Sequence, residues 1–253
     1  MKFDSTKQFS IGAFALLVSI ASVPSLLGQE KTPNKTSSSQ FIEKHDLGKY
    51  ATEAAKWDKD VEKLTANSAT DGGEDFILCL GSSSFRLWSS ISDDMAPYKI
   101  VNRGYGGAKY CDLAIHSTKL VEGVRFRAAM IFVGNDITGK ETDKTPEEIV
   151  RLSKIVIDVV RQQHPNAPVF LIAVTPSPSR FQYWPRIVLA NQSLEKLAAE
   201  EPNTFFIATQ NKYLNEQGEP RSELFGKDML HQNKDGYAIW SALLKDSLKK
   251  NLR

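Results

Sequence analysis

Residues 76–80 (FILCL) form a short apolar run with no polar alternation, the pattern of a strand buried on both faces of a parallel sheet. Comparable runs recur at residues 99–102, 128–133, 167–174 and 204–208. The stretches between them predict helices over residues 111–122, 146–164, 185–200 and 234–249. Thr145 and Pro146 give the second of these helices a cap and a first-turn proline, and Pro165 closes it. Ahead of the first strand, Tyr50, Ala54, Trp57, Val61 and Leu64 fall at three- and four-residue spacing, which predicts an amphipathic helix over 49–65 on the outside of the domain. Asp71-Gly72-Gly73 then turns the chain into the first strand. Strand and helix alternate five times, so the expected fold class is α/β: a single-domain three-layer α/β/α sandwich around a five-stranded parallel sheet. No internal repeat or second domain interrupts the pattern.

The N-terminus follows a different pattern. Lys2 and Lys7 precede an apolar segment at residues 11–20, too short to span a bilayer, as in a secretory signal. Residues 1–28 are therefore expected to be a signal peptide, with an uncleaved N-terminal membrane anchor as the rival. The polar residues that follow predict a flexible linker over 29–45, and the folded domain is expected over 46–253. Export implies a secreted or periplasmic protein. The formal net charge of +2, from 32 basic and 30 acidic residues, supports neither a nucleic-acid surface nor a polybasic membrane patch. Export would permit a disulfide between Cys79 and Cys111, but Cys79 lies in a strand with buried character, where cysteine behaves as a small hydrophobe.

In a parallel sheet the carboxyl ends of the strands share one rim, where ligands bind. Here the rim collects Gly81-Ser82-Ser83-Ser84, the glycine cluster 104–107, Gly134-Asn135-Asp136, and the later turn Asp228-Met229-Leu230-His231. Any of the three serines is a candidate nucleophile, although a serine run is also a good helix cap. The glycine cluster lacks the third glycine of a dinucleotide fingerprint, since position 109 is lysine, and there is no phosphate loop. It can serve as a tight turn or supply backbone N–H groups to an oxyanion. Asn135 is either a turn residue or an amide aimed at that oxyanion. Asp228 and His231, three residues apart, can share one turn with the carboxylate on Nδ1 and Nε2 free for a nucleophile. No second histidine or cysteine pair completes a metal ligand set, and no cofactor is expected.

Taken in order, these four blocks resemble the SGNH, or GDSL-type, esterase/lipase superfamily over about residues 74–250. The resemblance implies a flavodoxin-like SGNH hydrolase fold. It also implies roles: Ser83 as nucleophile, His231 as general base and acid, Asp228 as its orienting carboxylate, and the N–H groups of Ser83 and Gly107 with the Asn135 amide as oxyanion hole. Two departures stand out. Ser82 replaces the family's aspartate, and Val133 replaces the glycine usual two residues before the asparagine. An α/β-hydrolase elbow is excluded because Phe85 stands where its last glycine belongs.

The expected function is an exported serine esterase cleaving short acyl groups from a carbohydrate or other small ester, without protein or nucleic-acid partners. A lysophospholipase or short-chain lipase is the alternative within the same chemistry. A non-catalytic ligand- or carbohydrate-binding module is the alternative outside it. Residues 176–184 are expected to overhang the site, with Arg180, Tyr183 and Trp184 lining a sugar or acyl pocket.

Overall fold

The computed structural model describes Met1 and residues 35–252; the expected signal peptide, apart from Met1, lies outside the described residues. Five strands form one parallel sheet: β1 (Phe76–Gly81), β2 (Lys99–Gly104), β3 (Ala128–Phe132), β4 (Val169–Ile172) and β5 (Thr204–Ile207). Their spatial order is β2-β1-β3-β4-β5. The chain runs outward from β1 to β2 and then returns across β1 to β3. Direction therefore reverses at the carboxyl ends of β1 and β3, which opens a crevice there.

Nine α-helices accompany the sheet among the described residues: α1 (Lys35–Lys44), α2 (Ala51–Ala54), α3 (Asp58–Thr65), α4 (Ser83–Arg86), α5 (Ile91–Asp94), α6 (Tyr110–Val121), α7 (Pro146–Gln163), α8 (Trp184–Glu200) and α9 (Lys234–Asn251). Successive strand residues point to opposite faces, so each apolar strand supplies two cores. Leu78, Leu80, Ala129, Ile131 and Leu171 join the core under α6, α7 and α8. Ile77, Cys79, Met130, Phe170 and Ile172 join the core under α9, where Trp88 and Trp240 are fully buried. This explains why the inner strands carry no polar alternation: β3, β4 and β1 from Ile77 onward are buried on both faces. Thr145 caps α7 as its sequence implies, its side chain accepting from the Glu148 N–H.

Two local expectations need correction. The linker expected over residues 29–45 is helical from residue 35, as α1. Phe41 and Ile42, at the end of a polar stretch, pack against the first core, and Leu47 just beyond is fully buried. The single helix expected over 49–65 is instead α2 and α3, flanked and joined by 3₁₀ turns at Gly48–Tyr50 and Ala55–Trp57. The second turn is anchored by the Trp57 indole N–H, which donates to Asp112 Oδ2 at 2.7 Å. Ala54 and Val61 still face inward as the apolar stripe requires.

Gly81, the last residue of β1, is held at φ +142°, and a Cβ there would lie 1.9 Å from the Phe132 carbonyl oxygen. No side chain fits. Gly81→Ala should lose about 1–3 kcal/mol from the dihedral alone, and more from separating β1 from β3. Urea unfolding checks this; a wild-type midpoint would contradict it.

Candidate active site

Ser83 owes its position to the backbone on either side. At the end of β1 the Ser82 N–H donates to the Phe132 carbonyl at 3.0 Å, and the Gly81 carbonyl accepts from the Tyr105 N–H at 3.0 Å. Three strand ends are thereby fixed around one serine. Ser82 stays extended, and α4 starts at Ser83. Asn102 ties the second block to this helix: its amide donates to the Phe85 carbonyl at 2.8 Å and its oxygen accepts from the Gly104 N–H at 3.0 Å.

Of the three serines, the structure brings Ser83 to the histidine. Ser83 Oγ lies 2.8 Å from His231 Nε2, and His231 Nδ1 lies 2.6 Å from Asp228 Oδ2. The Asp-x-x-His spacing has a local cause. Asp228 Oδ1 accepts from the N–H groups of Leu230 and His231, both at 3.0 Å, so one carboxylate oxygen builds the turn while the other holds the ring. Met229 takes the left-handed conformation inside this turn. Partial burial pushes the Asp228 carboxyl upward, but the bonds from His231 and Leu230 outweigh it and bring it down to about 2. An ionised carboxylate only accepts, so Nδ1 carries the proton and Nε2 is left to accept from the serine hydroxyl. The arrangement can deliver an alkoxide-like oxygen to an electrophilic carbon.

Asn135 and Gly107 both border this centre. Asn135 Nδ2 donates to the Ala108 carbonyl at 3.0 Å, and Asn135 Oδ1 accepts from Arg180 Nη2 at 2.7 Å. Arg180 Nη1 also donates to the Gly134 carbonyl. Two cavities flank the Ser83–His231 pair. The smaller, about 30 Å³, is bordered by Ser82, Phe132, Val174, Arg180 and Ile187. The wider cleft, about 510 Å³, is bordered by Trp57, Asp60, Arg86, Gly106 and Gly107. Gly106 lets the wall of this cleft form, because a Cβ there would sit 2.2 Å from the Trp57 ring.

The expected pocket residues are therefore corrected in part. Arg180 reaches the cavity, but Tyr183 lies across Gly139 and Trp184 packs against the first core. An aromatic pair at the start of a helix is used here for packing. Conversely, Trp57 reads in sequence as one position in an apolar stripe, yet it walls the cleft. Its neighbour Asp60, on the polar side of that stripe, was the available signal. Cys79 and Cys111 are both free and buried, and burial pushes the Cys111 thiol up to about 12, so neither is a nucleophile at neutral pH. Among the described residues no group of three or more histidine, cysteine, aspartate or glutamate side chains could hold a metal ion, and no helix is long and apolar enough to cross a membrane.

The comparison with known sequences decides the family. The signature of the GDSL-like lipase/acylhydrolase family matches residues 67–239, which includes all four blocks. The chain belongs to that family. As a GDSL-like acylhydrolase it is an ester-cleaving hydrolase in general class, and solved structures share its α/β fold. A Streptococcus pneumonia protein named for platelet activating factor is 20% identical, with a TM-score of 0.67 over 85% of this chain and 100% of its own. A GDSL-like lipase from Bacteroides thetaiotaomicron is 18% identical, with a TM-score of 0.59 over 82% and 99%. A carbohydrate esterase family 3 protein from Talaromyces cellulolyticus is 14% identical, with a TM-score of 0.54 over 69% and 96%. No curated protein matches the sequence.

Asp136, beside Asn135, is almost fully buried, and among the described residues its carboxylate accepts only the Tyr110 N–H, at 3.2 Å from each oxygen. Burial pushes its carboxyl up to about 7 from an ordinary 3.8. A folded-state value above the unfolded one favours the neutral acid, so the protein should lose stability as pH rises from about 4 to about 7. Asp136→Asn should flatten that dependence in urea unfolding at pH 4 to 8, since an amide oxygen can still accept from Tyr110. Equal pH slopes for the two proteins would contradict this.

Proposed function

We propose that this chain is an exported serine esterase that removes short acyl groups, acetyl foremost, from a carbohydrate or other small ester. The observation that carries the reading is the placement of Ser83 Oγ, 2.8 Å from His231 Nε2, between a cavity of about 30 Å³ and a cleft of about 510 Å³. A space of the smaller size holds roughly two water-sized groups, about what an acetyl group needs. The wider cleft, with an indole, a carboxylate and a guanidinium on its walls, suits a hydroxyl-rich alcohol. Export rests on the pattern of residues 1–28.

In the proposed mechanism His231 Nε2 takes the Ser83 proton as Oγ attacks the ester carbonyl, giving a tetrahedral oxyanion. Asp228 stabilises the imidazolium and fixes its tautomer. The oxyanion is held by the Ser83 and Gly107 N–H groups and the Asn135 amide. His231 then protonates the leaving alcohol and the acyl-serine remains. Water attacks the acyl-serine with its proton passing to His231, and collapse of the second intermediate returns that proton to Ser83. No step calls for a metal or organic cofactor.

Hydrolysis of nitrophenyl esters from acetate to long acyl chains tests the reading. Wild type should turn over acetate best, and Ser83→Ala should lose about three or more decades of kcat. Asp228→Asn should lose a comparable amount with the fold intact, because the wrong tautomer faces the serine. Preference for long chains would replace this reading with a lysophospholipase. Folded wild type and variant that are equally inert on every ester would favour the binding module.

A further inference from the structure

We propose that Arg180 is a positioning residue for the oxyanion hole: with the Ala108 carbonyl, its guanidinium locks the Asn135 amide in the orientation that meets the oxyanion, and it strengthens that amide as a donor. The inference rests on the esterase reading of the site.

A guanidinium has only donors. The Asn135 atom that meets Arg180 Nη2 at 2.7 Å must therefore be Oδ1, and Nδ2 must lie on the opposite branch of the amide. One Nδ2 hydrogen goes to the Ala108 carbonyl at 3.0 Å, and the other is the one an oxyanion can use. The Ala108 carbonyl can only accept, so it and Arg180 hold the amide in the same orientation; with an uncharged residue at 180 the Ala108 contact alone holds it, and the flipped amide would turn an oxygen lone pair toward a developing negative charge.

The second effect is electrostatic. Arg180 makes no ion pair among the described residues: its contacts are the neutral Asn135 oxygen and the Gly134 carbonyl. The carboxylate that acts on it from a distance, Asp143, spends its own bonds on the Thr138 and Gly139 N–H groups and on Arg186. Burial disfavours the charge, and Asp143 opposes that effect, yet a guanidinium remains protonated. A cation bonded to the amide oxygen polarises the amide and makes its N–H a better donor.

The segment carrying Arg180 is itself fixed to the acid–base loop. The Ser179 N–H donates to the Met229 carbonyl at 3.0 Å, and the Arg180 N–H donates to the Ser177 carbonyl at 3.1 Å. One short segment thus clamps the Asp228–His231 turn with its backbone and the Gly134–Asn135 loop with its side chain. This also gives that loop a support where Val133 stands in place of the family's usual glycine.

Steady-state kinetics on nitrophenyl acetate with wild type, Arg180→Met, Arg180→Lys, Asn135→Ala and the Asn135→Ala/Arg180→Met double variant test the proposal. Loss of a direct oxyanion donor costs about 100- to 1,000-fold in kcat; Arg180→Met, acting through that donor, should cost about 10- to 100-fold with KM changed less than about threefold. Arg180→Lys keeps the charge but loses the fork, so it should fall between wild type and Arg180→Met, and it carries the test if Arg180→Met does not fold. In the Asn135→Ala background, Arg180→Met should cost less than about threefold more, because the residue it positions is gone. Losses that multiply in the double variant, a raised KM with kcat kept, or unchanged kinetics in an active protein would each overturn the role given to Arg180. A folded but inert wild type would instead overturn the esterase reading, and this inference with it.

Discussion

The site depends on how closely β1 can approach β3 at their carboxyl ends. Gly81 brings its backbone so near the Phe132 carbonyl that no Cβ fits between them. That approach lets the Ser82 N–H donate to Phe132 while the Gly81 carbonyl accepts from Tyr105. The turn into α4 is over-determined on both sides, and Ser83 emerges at the reversal of strand order, where a parallel sheet offers its crevice. Nearly everything else in the site is referred to this corner. Asn102 binds the corner to β2, Gly104 lets β2 pack against Phe85, and the Tyr237 hydroxyl reaches across from α9 to the Ser84 carbonyl at 2.8 Å.

Around that corner the polar groups divide into two sets separated by Ser83. On one side Asp228 gives one oxygen to its own turn and the other to the imidazole, so a single carboxylate both builds the loop and selects the tautomer. On the other side Arg180 and the Ala108 carbonyl do the equivalent for Asn135: a donor-only group on its oxygen and an acceptor on its nitrogen leave the amide one orientation of two. Each reactive side chain is oriented by a neighbour whose hydrogen-bonding capacity admits one arrangement, and both neighbours are tied together through Ser179 and Met229. Such prior orientation is what makes a donor effective as charge develops, because nothing has to reorganise during the reaction.

Much of this was legible in the sequence. The strands were, because a sheet covered on both faces needs unbroken apolar runs. The Asp228–His231 pair was, because an aspartate that caps its own turn must sit three residues before the histidine it holds. The choice of Ser83 over Ser82 and Ser84 needed the family resemblance, since all three can start a helix. What escaped was set by contacts distant in sequence. The polar surface of α1 masks the packing of Phe41 and Ile42. Trp57 walls the cleft only because Gly106, far along the chain, leaves room for its ring. Tyr183 was expected at the pocket and instead fills the space beside Gly139. The partner of Arg180 lies 45 residues away, beyond any local pattern.

The proposed chemistry stands on Ser83 as a nucleophile activated by His231. The most direct measurement is covalent labelling with a serine-reactive phosphonate, followed by mass spectrometry of the intact protein and of its peptides. One adduct per chain is expected, located on Ser83 and absent from Ser83→Ala, with slower labelling of Asp228→Asn. A folded protein that stays unlabelled, or a Ser83→Ala variant still labelled at Ser82 or Ser84, would contradict it.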